Sequence, residues 1–368
     1  MGNQRVIIKL GTTTLTAGSP RISSPHIVEL ARQVSSLHSS GYQVIMVSSG
    51  AIAAGREALN FPELPKYIPA KQMLAAIGQP RLMYLYTQLF GIYNETVAQV
   101  LLTQEDLSDR ARYLNARNTL EALLAHHVIP IINENDTVAT EEIRFGDNDN
   151  LSAQVASLIE ADLLILLTDQ EGLFTSDPHL DSNATLIKRV ELPTIPEELW
   201  KSAGRSNSGL GTGGMDTKVH AADLARRSGT VVIIANGNES NVLLRIVKGE
   251  ALGTTFQPLT TKLESRKRYL LTGRHALGLL TIDQGAVNAL LQGGSLLPVG
   301  VLTVSGRFER GDTVRINDPS GMEIAIGLVN YPASDLSHLC RRQSGEIETI
   351  LGYTFGDEVI HRNNLLLL

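Results

Sequence analysis

Acids and amides crowd two short stretches of the chain. Asn133, Glu134, Asn135 and Asp136 follow the apolar run VIPII, and Asp147, Asn148, Asp149 and Asn150 come soon after, behind Phe145 and Gly146. One such side chain is most often a turn former. Eight in two stretches, the second opening a helical pattern, suit an α-amino group, an α-carboxylate and a hydrated magnesium ion. Cationic and anion-binding features stand elsewhere. Lys9, in Lys9-Leu10-Gly11-Thr12-Thr13, closes an apolar run, where an ammonium is costly unless something pairs with it. Its plain alternative is an edge-strand lysine facing solvent. Ser48, Ser49 and Gly50 follow a second apolar run, and Thr168 and Asp169 a third. Ser208 to Lys218 reads SGLGTGGMDTK and enters a helical segment. Glycines there admit backbone N–H groups to an anion, a helix start favours negative charge, and Lys218 adds a full positive one.

That set suits phosphoryl transfer, which is mostly positioning and charge neutralisation. A carboxylate acceptor is already ionised at neutral pH and needs no general base. Lys9 and Lys218 suit the task of bringing two anions together, with Mg²⁺ bridging the phosphates. Other chemistries fit less well. Gly209, Gly211 and Gly214 match GxGxxG, but Arg205-Ser206-Asn207 is no strand, and the dinucleotide fingerprint needs one. The GK[ST] ending of a Walker A loop is absent. There is no His/Cys cluster at metal-ligand spacing and no GxSxG. His126 and His127 close a helical stretch and read as helix-end residues.

The elements that must hold these residues alternate. Apolar runs at Arg5–Leu10, Tyr42–Val47, Thr96–Leu102, Val128–Ile132, Leu163–Leu167 and Thr230–Ala235 read as strands. Several are apolar at consecutive positions, the mark of a sheet buried on both faces. Helical patterns follow Pro25 and cover Lys71–Phe90, Glu105–Leu124, Asn150–Ile159 and Thr217–Arg227. Strands alternating with helices give a layered α/β fold with a mainly parallel sheet. After the polar stretch Gln257–Arg268, which reads as a linker, come short strands (LLTID, GVLTVSG, DTVRIND, EIAIGLVNY, DEVIHR) and Gly-rich turns, a compact, mostly β module. The apolar tail Leu365–Leu368 reads as a terminal strand or packed end.

Bulk composition agrees. Of 368 residues, 43% are hydrophobic and 19% charged, ordinary for a globular chain. Cys340 is the single cysteine, so no intrachain disulfide forms. The opening MGNQRVIIKLG lacks the basic-then-apolar order of a secretory signal, and Val6 stands where a myristoylation signal has Ser or Thr. No apolar run reaches the roughly 18 residues of a membrane span. The expected location is the cytoplasm. A net charge of −6 argues against coating nucleic acid.

The order KLGT, SSGAIAAG, INENDTVA, GDNDNLSA, LTDQEGL, GLGTGGMDTK resembles the glutamate 5-kinases of the amino acid kinase superfamily, over essentially the whole chain. GDNDNLSA and GTGGM..TK are the specific motifs; the KxG start and the TD pair are shared across the superfamily. The resemblance implies a three-layer αβα sandwich of the amino acid kinase type over residues 1–257, a linker at 258–274 and a PUA-like domain at 275–368. It implies Lys9, Lys218 and Asp149 as catalytic, the acid orienting the lysines. It implies Ser49, Asn133, Asp136 and Asn148 around glutamate, and Lys9, Thr168, Asp169 and Thr212, Gly213, Gly214, Met215, Asp216, Thr217 and Lys218 around ATP with Mg²⁺; no metal ligands are assigned. Members make γ-glutamyl phosphate, the first step of proline biosynthesis. Many are inhibited by proline at a site overlapping glutamate, many are tetramers, and the next enzyme of the pathway is a possible partner. Arg144 stands before GDND where members carry lysine; the charge is kept but the planar fork differs from a point charge.

Two other readings compete. Another carboxylate kinase of the superfamily would differ first in the NEND and GDNDN stretches. An RNA-binding regulatory protein acting through the PUA-like module would need a basic footprint. From residue 270 onward there are seven Lys and Arg against ten Asp and Glu, with Arg341-Arg342 the only adjacent basic pair.

Overall fold

The computed structural model describes residues 4–65, 67–139, 148–178, 180–203, 214–262, 264–265 and 276–368. By internal contacts the chain divides into one unit of residues 1–107 and 116–262 and a second of residues 108–115 and 263–368.

In the first unit the apolar runs become strands β1 (Arg5–Leu10), β2 (Gln43–Ser48), β3 (Val97–Leu102), β4 (Ile129–Glu134), β5 (Leu163–Thr168) and β7 (Val231–Asn236), with short β6 (Arg189–Val190) and β8 (Thr254–Phe256). They join in one sheet of order β3-β4-β2-β1-β5-β7-β8-β6, parallel throughout except where β8 runs against β7. The consecutive apolar positions are explained by helices on both faces. On one face Val6, Ile8 and Leu10 pack with Ile27, Leu30 and Val34 of α2 (Ser24–Ser39), Leu82, Tyr86 and Phe90 of α4 (Ile68–Gly91) and Val242, Leu243 and Ile246 of α10 (Val242–Val247). On the other face lie α7 (Asn148–Leu158) and α9 (Met215–Arg226), which bury Leu151, Val155, Val219 and Ala222. Short helices α1 (Thr12–Thr16), α3 (Ala51–Ala58) and α8 (Glu197–Ala203) complete the set.

Helix boundaries differ from the sequence expectation in four places, one of them α4, which begins at Ile68, three residues before the expected Lys71. The stretch Glu105–Leu124 is two helices, α5 (Gln104–Ser108) and α6 (Arg110–Ala125). Asp109 lies between them and its side chain accepts the Arg112 N–H at 2.9 Å, an N-cap that restarts the helix. Helix α7 begins at Asn148, two residues early, and α9 begins at Met215. Both early turns carry Asn, Asp or Thr, types that read as loop because they favour caps and turns.

Helices α3 and α4 approach closely. A Cβ at Gly55 would lie 1.9 Å from the Leu74 carbonyl oxygen, and one at Gly78 would lie 1.8 Å from that of Ala51. Only glycine fits at either contact.

The second unit contains β9 (Gly278–Ile282), β10 (Val301–Gly306), β11 (Thr313–Asn317), β12 (Glu323–Leu328) and β13 (Leu365–Leu367) in the order β10-β9-β11-β12-β13. Its pairings are antiparallel except β9 with β11. The tail strand β13 pairs with β12. DEVIHR, expected as a strand, contributes only one bridge, Leu296 with Ile360. Helices α11 (Gln284–Leu291), α12 (Ala333–Leu339) and α13 (Ile347–Leu351) add a helical part to this module. Its core gathers Leu280, Val314, Ile316, Tyr331 and Leu336.

Candidate active site

Strands β4, β2, β1 and β5 are parallel neighbours, so their C-terminal ends share one edge. Open α/β sheets place ligands at that edge. Lys9 sits near the end of β1, in register with Val47 of β2 and Leu166 of β5, which rules out the edge-strand reading. Alternation turns Lys9 away from the α2 and α4 face and toward α7, where its Nζ meets Asp149 Oδ1 at 2.6 Å. Both side chains are almost wholly buried, at 5% and 1% exposure.

Asp149 is the centre of a charged trio. Its Oδ2 accepts Thr217 Oγ1 at 2.7 Å and lies 3.5 Å from Lys218 Nζ. Lys218 also donates to the Gly214 carbonyl at 3.3 Å. Burial works to raise the Asp149 pKa. The charges of Lys218 and Lys9, with hydrogen bonds from Lys9 and Thr217, outweigh it and hold the carboxyl well below the usual carboxylate range. Lys218 is buried in the first turn of α9, because the helix starts three residues before it. Two ammoniums and one carboxylate leave one net positive charge, set for a further anion.

Beside this trio runs a network of amides. Asn148 Nδ2 donates to the Ser48 carbonyl at 2.7 Å, to Ser49 Oγ at 3.1 Å and to Asn133 Oδ1 at 2.9 Å. Asn133 Oδ1 also accepts the Glu134 N–H at 2.9 Å, and Asn133 Nδ2 donates to Gln79 Oε1 at 2.7 Å. Ser48, fully buried, is tied to Tyr86 of α4 through a 2.8 Å hydroxyl pair. Gly50 takes φ +93° to turn β2 into α3, a conformation that favours glycine.

The sequence candidates therefore fall into groups. Lys9, Asp149, Thr217 and Lys218 meet directly, as do Ser49, Asn133 and Asn148. Thr168 closes β5 and donates to Asp169 Oδ1 at 3.1 Å; Thr168 is buried and Asp169 exposed. Gly214, Met215 and Asp216 open α9. Asp136 is half-buried just beyond β4, and its carboxyl is pushed up to about 6 by burial, against the opposing charge of Lys71. It makes no side-chain hydrogen bond to Asn133 or Asn148. Thr212, Gly213 and Arg144 lie outside the described residues. Sequence reading missed Gln79 and Tyr86, which sit mid-helix in apolar surroundings and come to the site through the α3–α4 contact; the Gly55 and Gly78 pair was the available signal.

Among the described residues no group of three or more His, Cys, Asp or Glu is placed to hold a metal ion. Both oxygens of Asp149 are engaged by lysines and Thr217. The described side chains do not form a protein cage for a cation.

A model of the amino acid kinase family matches residues 4–236, and a PUA domain model matches residues 278–351. The glutamate 5-kinase of Shewanella sediminis (strain HAW-EB3) is 53% identical over 369 residues, covering 100% of this chain and 99% of its own. That of Deinococcus radiodurans is 51% identical over 365 residues, covering 99% and 100%. Among solved structures, carbamate kinase from Giardia lamblia bound to AMP-PNP covers 70% of this chain and 99% of its own, with TM-score 0.50 and 18% identity, a likeness of fold. With more than half of the residues shared along its full length, the chain belongs to the glutamate 5-kinases of the amino acid kinase family.

Proposed function

We propose that this chain transfers the γ-phosphoryl group of ATP to the side-chain carboxylate of L-glutamate. A carboxylate oxygen attacks Pγ, the bond from Pγ to the β–γ bridging oxygen breaks, and ADP leaves with that electron pair. No proton moves, because the acceptor carboxylate is already ionised at neutral pH and needs no general base. The observation that carries the reading is the buried Lys9–Asp149–Lys218 trio standing next to the Ser49–Asn148–Asn133 network.

In this reading Lys9 and Lys218 neutralise charge growing on the transferred group, and Asp149 holds both ammoniums in place. Ser49, Asn133 and Asn148 receive glutamate. Asp136, once ionised, takes its α-ammonium. Thr168, Asp169 and the 212–218 segment hold the nucleotide, with α9 presenting its N-terminus to phosphate. Mg²⁺ enters as part of the co-substrate Mg-ATP, held mainly by phosphate oxygens. Competition of proline with glutamate, a homotetramer, a cytoplasmic setting and hand-over of the acyl phosphate to the following enzyme belong to the same proposal. The domain limits 1–257 and 275–368 do too.

The test is ADP release from Mg-ATP with glutamate, aspartate, N-acetylglutamate, carbamate or UMP as acceptor. Release with glutamate alone is expected. Preference for another acceptor would reassign Ser49, Asn133, Asp136 and Asn148 while keeping the lysine trio.

A further inference from the structure

One buried donor beside the amide network has no partner. The direction of that network is fixed at two places by backbone groups. The Ser48 carbonyl can only accept, so the Asn148 atom 2.7 Å from it is the amide nitrogen. The Glu134 N–H can only donate, so the Asn133 atom 2.9 Å from it is the oxygen, and that same oxygen accepts from Asn148. Asn133 must then present its nitrogen to Gln79, and the Gln79 atom at 2.7 Å is the oxygen. What remains of Gln79 is its Nε2 group. This nitrogen is closed to solvent and, among the described residues, has no acceptor.

An unpartnered buried amide donor has given up its hydrogen bond to water and gained none in return, a net cost to the fold. A glutamine held in this orientation bears that cost unless an acceptor arrives. Gln79 cannot relieve it by flipping, because the Asn133 nitrogen would then face a second donor. Nor does the helix carry the residue elsewhere: the tight approach at Gly78 and Ala51 seats this turn of α4 against the start of α3, beside Ser48 and Ser49. The Gln79 side chain as a whole is half-buried, so open space adjoins it, and a small rotation of the kind common on binding brings the donor to a ligand.

We infer that Gln79 Nε2 donates a hydrogen bond to a carboxylate oxygen of the acceptor substrate, making Gln79 a substrate-binding residue. This rests on the reading of Ser49, Asn133 and Asn148 as the acceptor subsite. It accounts for a nitrogen where an acceptor-only or apolar side chain would avoid the buried donor.

The test uses the full-length protein and two variants. Gln79→Glu keeps an oxygen for Asn133 Nδ2 and replaces the free donor by an acceptor. Gln79→Met removes both. At pH 8.5 Q79E is expected to raise the glutamate KM roughly tenfold to a hundredfold, the loss of a hydrogen bond to a charged group. The ATP KM should move less than about twofold, and Q79M should raise the glutamate KM in the same sense. An unchanged glutamate KM in Q79E, with or without a rise in Q79M, overturns the inference, because an ionised glutamate has no hydrogen to donate and adds repulsion toward a carboxylate substrate. Should Q79E fail to fold, an unchanged KM in Q79M overturns it equally. The parent protein separates the two levels: if it turns over glutamate and Q79E matches it, the inference alone fails. If the parent prefers another acceptor, the subsite reading fails and takes the inference with it.

Discussion

Replacing Asp149 by asparagine removes the one negative charge between two buried ammoniums while keeping the shape of the side chain. Asp149 is 1% exposed, with Lys9 Nζ at 2.6 Å, Thr217 Oγ1 at 2.7 Å and Lys218 Nζ at 3.5 Å. Breaking a buried ion pair from one side costs about 3–5 kcal/mol. At roughly 2–4 °C per kcal/mol for a unit of this size, the melting temperature should fall by about 6–20 °C. The lysines would no longer be held at fixed places, and kcat should fall about a hundredfold to a thousandfold, the scale for removing one preorganised charge-stabilising contact. pH supplies an internal control. The folded pKa of Asp149 is depressed, so its contribution to stability is present above the unfolded value of about 3.9 and is lost as pH falls through the lower folded value. The stability gap between parent and D149N should therefore be full at pH 7 and shrink as pH falls below about 4. The assays are thermal melts across pH and steady-state kinetics at saturating substrates. A folded D149N with kcat within about threefold of the parent, less than about 1 kcal/mol of barrier, would refute the orienting role.

Lys218→Met should lower kcat by at least about a hundredfold. It should also lower the melting temperature, because Lys218 is buried against Asp149 and Gly214 and not on a solvated loop; kinetics and melts read both. With Asp136 titrating at about 6, the parent's glutamate KM should fall as pH rises through that value. Asp136→Asn should remove this pH dependence and raise the KM about tenfold, the loss of one charged hydrogen bond. Because burial raises the Asp136 pKa above its unfolded value, its ionised form works against stability at pH 7, so D136N should melt no lower than the parent. Gly78→Ala sets a Cβ against the Ala51 carbonyl at 1.8 Å and should cost at least about 1–3 kcal/mol in denaturant melts.

The sheet was largely legible in the sequence. Strand β1 falls on the expected residues and β2 is shifted by one, because strands covered on both faces carry unbroken apolar runs. The local chemistry at the strand ends was legible too, since Lys9 inside an apolar run demands a partner. What composition did not reveal is which partner. Asp149 and Lys218 lie 140 and more residues from Lys9, and their burial follows from α7 and α9 beginning earlier than Asn, Asp and Thr suggest. Gln79 was harder to read, with the Gly55 and Gly78 pair as its one signal. Its place depends on two glycines letting α3 and α4 touch, a tertiary contact that helical periodicity does not encode. The helices of the second unit were passed over because short elements among Gly-rich turns leave little periodic signal.

Transfer of phosphate onto the glutamate side chain itself is the central claim, and trapping the product tests it most directly. Mg-ATP and glutamate are incubated with the protein in the presence of hydroxylamine, and ADP and hydroxamate are counted together. The account predicts γ-glutamyl hydroxamate formed one for one with ADP, with both rates falling in parallel in D149N and K218M. ADP without hydroxamate, or hydroxamate at the α-carboxylate, would contradict it.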